Sequence, residues 1–480
     1  MRPERRRLLL ALLATVAVLG PVGWFWQASL LPGSYSVMDM GYADYGGGPT
    51  SMTSHELMGT SVADLVADPT RTPDVRVTLT TRKERFRLAS GQQVDGYTVN
   101  GTSPGPAVRA VEGQLVEVTL VNESVPDGVT LHWHGVDVPN AEDGVAGVTQ
   151  DAVGVGGRHV YRFVADHPGT YWYHSHQVSH RQVQRGLLGP LVITPKVPEP
   201  KVQEALALLH LYGGLATVNG RTGDTTVPAA DGTRVRVRVV NTDNGVTPVW
   251  VAGSPYTLRA VDGRELHGPT PVTDRTVRLT AGARADLEVT APARVELGGT
   301  SSLVIGAGAA AVPQPRKALD LLSYGTPTPL GFDPDQADRR FRYSVGRRPG
   351  FLDGRPGMWW SINGHLFPDV PMFVVEKGDV VRMRLDNHSG AAHPMHLHGH
   401  HAVVLARDGV RATGSPWWVD SLDVPSGHSF DIAFVADNPG VWMDHCHNLP
   451  HAAQGLVAHL MYAGVSEPYR VGGRADNEPE

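Results

Sequence analysis

One motif recurs three times along the chain, and it restricts the fold to a serial β architecture. The copies open with Val99-Asn100-Gly101, Val218-Asn219-Gly220 and Ile362-Asn363-Gly364. Each is followed by a further glycine (Gly113, Gly232, Gly378) and, nine positions later, by an asparagine (Asn122, Asn241, Asn387). The residues between are rich in valine and leucine, with alternation clearest at 233–239, which is the pattern of a strand with one buried face. Repetition at this spacing means one supersecondary unit built three times. A second repeat ties the outer copies together: residues 163–176 align with 434–447, and eight of the fourteen positions are identical. Glycine (55) and proline (37) together make up about a fifth of the 480 residues, which favours many turns over long helices. The expected fold is all-β, with three consecutive β-sandwich domains at 73–197, 201–312 and 336–468.

The formal net charge is −6, so no basic field draws in nucleic acid. Cys446 is the only cysteine, which excludes an internal disulfide and any metal site built of cysteines alone. Residues 1–31 form a separate element. Arg2, Arg5, Arg6 and Arg7 precede an apolar run at 8–26 that ends in Trp24, Phe25 and Trp26. Nineteen residues at ~1.5 Å each nearly match the ~30 Å core of a bilayer. The arginines keep that end cytoplasmic and the rest of the chain outside, whether the segment stays as an anchor or is cleaved as a signal peptide. Residues 32–72 lack periodicity and read as a flexible stalk. Its Met38, Met40, Met52, His55 and Met58 are candidate ligands for a soft metal.

Ten of the 22 histidines fall in four clusters: His132 and His134; His174 and His176; His393, His396 and His398; His445 and His447 with His451. The clusters sit on the first and third units, and the middle unit has none. On a strand, residues i and i+2 share a face, so each His-x-His presents two imidazoles side by side. Eight such imidazoles from two units converging at their interface imply a multinuclear metal site. Cys446 lies between His445 and His447, so alternation turns its sulfur to the opposite face. His393 and His451 belong to no His-x-His pair and are free to partner it. One thiolate with two imidazoles is a blue-copper ligand set, with zinc the alternative, and Leu456 stands where a weak axial methionine is usual. A lone cysteine near histidines can also be a hydrolytic nucleophile, but that reading leaves the eight paired imidazoles without a role.

With these clusters, the turn at 100–106 and the sequence His-Cys-His-x3-His-x4-Leu, the chain resembles the multicopper oxidases over residues 75–465. The resemblance implies Greek-key cupredoxin domains in the three-domain, laccase-like arrangement, and four copper ions. By motif, His393, Cys446 and His451 would hold type 1 copper, with Leu456 as the axial residue. His132 and His396 would hold type 2 copper, and His134, His174, His176, His398, His445 and His447 the type 3 pair. The resemblance further implies a monomer that oxidises a phenol, an aromatic amine, Cu(I) or Fe(II) and reduces O2 to water. Electrons would pass from Cys446 through His445 and His447. Other classes within reach are a copper carrier and a non-enzymatic assembly factor. Some bacterial relatives carry a glutamate where this chain has Ala452, and Leu449 replaces an acid of fungal type. The expected proton donor is therefore Asp143, alone or with Asp444. Leucine at 456 should raise the potential of the type 1 copper, because loss of a weak thioether ligand favours the reduced metal.

Overall fold

The three Asn-Gly pairs each turn a hairpin. Asn100, Asn219 and Asn363 all adopt φ 52°, the left-handed region that asparagine tolerates, and a glycine of positive φ follows each. Their side chains are bound alike. Oδ1 accepts from the backbone N–H of Thr80, Leu208 or Ser344 at 2.7–2.9 Å. Nδ2 donates to the carbonyl of Thr78, Leu206 or Arg342 at 2.7–2.9 Å. The closing Asn122, Asn241 and Asn387 are fully buried, and each donates to two or more loop carbonyls. The repeat thus encodes a corner, and the corner is made three times.

The computed structural model describes residues 3–49, 59–197, 199 and 201–480. Strands pair into three sandwiches in chain order. In the first, a four-stranded sheet built on Val75–Arg87 and Leu115–Asn122 faces another in which His132–His134 pairs with Gly169–His174. The middle sandwich has sheets of six and five strands. In the third, one sheet runs Tyr42–Asp44, Pro371–Val375, Val457–Tyr462, Val441–Cys446, His393–Leu397, Ser421–Val424. Its register sets His396 opposite His445, as the first sandwich sets His132 opposite His174. Strand pairing, not chance proximity, therefore brings the histidine clusters together two by two.

Among the described residues one helix, Pro3–Ala28, is long and apolar enough to cross a membrane, and none of its residues is buried. The stretch expected to be a flexible stalk is different. Ser34–Tyr35 pairs with Val471–Gly472, Tyr42–Asp44 adds in parallel to Pro371–Phe373, and Thr60–Ser61 pairs with Val465–Ser466. Val37, Met40 and Val62 are buried. Their apolar surface outweighs the missing periodicity, so the segment straps the third sandwich. Met38 packs against that core, whereas Met52, His55 and Met58 lie outside the described residues.

Candidate metal centre

Two clusters of potential ligands share one strand. On the first face, Cys446 Sγ lies 3.5 Å from His393 Nδ1 and 3.7 Å from His451 Nδ1, and those two nitrogens are 3.2 Å apart. Cys446 and His393 are fully buried, and burial raises the thiol's pKa while lowering those of the imidazoles. Ser389 Oγ, 2.7 Å from His393 Nε2, leaves Nδ1 as the nitrogen facing the sulfur. Leu456 is fully buried, and its carbonyl accepts the Cys446 N–H at 3.1 Å. Trp360 packs against both rings, edge-on to His393 with centroids 4.7 Å apart and tilted to His451 at 4.5 Å. Arg347 covers the Trp360 ring at 4.6 Å. Burial and this cation act in the same direction on His451, holding its pKa at about 4.

On the other face, eight imidazoles from the first and third sandwiches meet. His132 stacks on His398 at 3.8 Å, His134 lies 4.8 Å from His447, and His176 lies 5.2 Å from His445. His174 is 5.5 Å from His447, and His396 is 3.8 Å from His134. Potential ligand atoms come within 4.8 Å of one another in the sets His132–His134–His174, His132–His396–His398 and His176–His398–His445. Burial, then repulsion among the rings, holds His134, His174, His176, His396, His398 and His445 well below the usual imidazole pKa, and burial brings His447 to about 3. These seven are therefore neutral near pH 7, the form that donates to a metal.

The outer nitrogens of four of these rings are tied to fixed acceptors, which sets their tautomer and aim. His132 Nδ1 donates to the Asp143 carbonyl at 2.9 Å, and His398 Nδ1 donates to Asp143 Oδ2 at 3.0 Å. Gly144 must be glycine, because a Cβ there would lie 1.9 Å from the Leu131 carbonyl oxygen. His396 Nδ1 donates to the Asp420 carbonyl at 2.8 Å, and His134 Nε2 to the Gly282 carbonyl at 3.0 Å. Asp420 in turn holds Arg284 through two 2.6 Å bonds, both side chains being fully buried. His401 sits between Asp137 and Asp420, which outweigh burial and Arg264 and raise its pKa. Gly282 and Arg284 come from the middle sandwich, so the unit without ligands supports the ring of histidines from outside.

Family models described as multicopper oxidase match residues 80–198 and 336–464. The chain belongs to the multicopper oxidase family. This oxidase is 29% identical over 458 residues to the multicopper oxidase MmcO of Mycobacterium tuberculosis, spanning 81% of this chain and 87% of that protein. It is 27% identical to laccase-1 of Botryotinia fuckeliana, over 78% of this chain and 79% of the relative. A multicopper oxidase structure from Pseudomonas thermotolerans superposes with TM-score 0.66 at 28% identity, covering 81% of this chain and 99% of that one. Copper is the family's metal, and the residues present fit it. Imidazoles and one thiolate are its preferred donors. Buried Nε2 of His174 and both nitrogens of His176 and His447 have no hydrogen-bond partner, an arrangement that costs ~1–3 kcal/mol per atom unless something binds there.

Asp444 lies apart from the eight imidazoles. It pairs with Leu397, so alternation puts it on the face of Cys446, near Tyr343. Sequence reasoning passed over Gly282, Arg284, Asp420, Trp360 and Arg347; nothing in their local spacing distinguishes them. Glu142, which precedes Asp143, is buried, accepts from Arg162 N–H at 2.9 Å, and is pushed up by burial to about 7. Its folded pKa exceeds the unfolded value, so its stabilising effect is full at low pH and is lost as pH rises through about 7. Melting temperatures from pH 4.5 to 8 should therefore fall more steeply for the native protein than for Glu142→Gln, a difference of roughly 3 kcal/mol at the alkaline end.

Proposed function

We propose that this oxidase removes single electrons from phenols and aromatic amines at a type 1 copper held by His393, Cys446 and His451, and reduces O2 at a trinuclear cluster. The type 2 ion would be held by His132 and His396. The type 3 pair would take His134, His174, His176, His398, His445 and His447. Bound there, copper would supply one-electron oxidation at the first site and four-electron reduction of O2 to two waters at the second. The observation that carries this reading is the position of Cys446, whose sulfur meets two imidazoles on one face while its chain neighbours join the eight-imidazole group on the other.

The chain's own residues do the rest. His445 and His447 link the two sites covalently through Cys446. Asp143 orients His132 and His398 and stands as the nearest carboxylate able to pass a proton inward. Trp360 shields the thiolate site from water, leaving His451 as its partly exposed edge. Arg347 beside that edge favours electron-rich neutral or anionic reductants over metal cations. The helix Pro3–Ala28 is read as an uncleaved anchor, with its arginines on the cytoplasmic side and the sandwiches outside.

The test is O2 uptake by copper-loaded protein on adding a phenol, Fe(II) or Cu(I). Phenol oxidation with blue absorption supports the reading, and turnover of metal ions alone overturns it in favour of a metallo-oxidase. Arg347→Glu should shift the ratio of kcat/KM values towards Fe(II) by about tenfold at low ionic strength, and added salt should shrink the shift. Leu456→Met should lower the type 1 reduction potential in a redox titration, because a thioether stabilises the oxidised metal. An unchanged potential would count against Leu456 as the axial residue.

A further inference from the structure

One hairpin connects the electron-entry edge to the end of the apolar helix. The hairpin formed by Arg339–Leu352 and Arg355–Ile362 carries Arg347 and Trp360 near its base and Asp353 and Gly354 at its tip. That tip is fastened to the residues leaving the helix: Gly354 N–H donates to Ser29 Oγ at 3.1 Å, and Leu31 N–H donates to Asp353 Oδ1 at 3.3 Å. Trp26 and Leu30 pack over Gly354, where a Cβ would come within 3.1 Å of both side chains.

Beside this junction lies a cavity of about 440 Å³. Leu31 and Tyr35 wall it on the helix side, and Trp359 and Phe367 line it further in. Residues 452–455, which directly follow His451, form its floor, and Gln454 there accepts from Trp360 Nε1 at 3.0 Å. Leu31 is three residues past the helix end at Ala28, a reach of at most ~10 Å. His459, which also lines the cavity, is buried, and its Nε2 makes no hydrogen bond.

We infer that this cavity binds a lipid-phase hydroquinone, a para-diphenol on an apolar tail, which enters from the bilayer surface and delivers its electrons to the His451 edge. This rests on the phenol-oxidase reading above and names the source of the phenol. Tyr35, Trp359 and Phe367 offer aromatic wall to a single ring, and Arg355, Glu478 and Glu480, which also line the cavity, offer polar partners to its hydroxyls. The tail would run out past Tyr35 and Leu31 to the membrane, and a ring hydroxyl would donate to His459 Nε2. Each hydroquinone gives up two electrons in single steps and two protons to water, becoming the quinone. Two of them reduce one O2 to two waters, so the balance needs no further reactant.

The experiment uses the full-length, copper-loaded protein in phosphatidylglycerol-containing vesicles. O2 uptake is compared for decyl-substituted hydroquinone, which partitions into the bilayer, and for water-soluble hydroquinone. An aryl-azide quinone then photolabels the protein, and the labelled peptides are mapped. The expected results are turnover of the decyl substrate about tenfold faster than the soluble one at equal total concentration, and label on the peptides holding Tyr35, Trp359 or Phe367. Trp359→Ala should raise the KM for the decyl substrate about tenfold while blue absorption reports an intact thiolate site. Soluble hydroquinone turned over with no advantage for the decyl form, or label confined to other peptides, overturns this inference alone. If neither hydroquinone is oxidised while Fe(II) or Cu(I) is, the phenol-oxidase reading falls with it.

Discussion

Gly282→Ala should lower O2 consumption about 100-fold while the blue absorption of the thiolate site persists. Gly282 has φ +78°, and its carbonyl accepts both His134 Nε2 at 3.0 Å and Trp172 Nε1 at 3.1 Å. A Cβ at this position would lie 2.6 Å from His134 Nε2 and 2.9 Å from Ser421 Oγ. Both contacts are too short, and alanine also strains the left-handed backbone, so the imidazole and its carbonyl anchor move together. A displacement of ~1 Å at a reacting centre costs on the order of 100-fold in rate. The thiolate site lies on another face of the third sandwich, so its colour reports that the chain has folded. Wild-type O2 consumption by this variant, measured with an oxygen electrode, would show that the middle sandwich does not position His134.

The second large effect is at Asp143. Asp143→Asn keeps an oxygen able to accept from His398 Nδ1, and the backbone carbonyl that receives His132 Nδ1 is untouched. Ring positions therefore survive, while the carboxylate's capacity to carry a proton is lost. General acid–base groups contribute ~100-fold or more, so O2 reduction should slow by about that factor, with a larger solvent deuterium isotope effect. Blue absorption and its bleaching by phenol under anaerobic conditions should stay normal, because electrons still enter. A normal rate with an unchanged isotope effect would reduce Asp143 to an orienting residue. Asp444 is the weaker candidate, since it shares the Cys446 face and not that of His445.

Much of this was legible because the informative residues act over short stretches of chain. The Asn-Gly corners need only local hydrogen bonds, and His-x-His spacing becomes geometry as soon as the segment is a strand. Cys446 is separated from His445 by alternation alone. The strap strands at 34–35, 42–44 and 60–61 escape the sequence pattern for the opposite reason: they are two or three residues long, and their partners lie more than 300 positions away. No periodicity can develop over such lengths. Gly282, Arg284 and Asp420 are invisible for a related reason: Gly282 and Asp420 each act on a histidine of another unit or strand, and Arg284 acts through Asp420.

By itself, then, the sequence determined the repeated β corner, the faces on which imidazoles and sulfur lie, and the membership of the oxidase family that those motifs carry. Tertiary structure alone decided which carbonyls and carboxylates aim the imidazoles, that Gly282 and Arg284 of the middle sandwich support them, and that the helix end meets the tip of the hairpin whose Trp360 packs on His451. The division is physical. Strand alternation and turn chemistry depend on neighbours in the chain, whereas the aim of a buried ring depends on whichever acceptor packing brings to its far nitrogen.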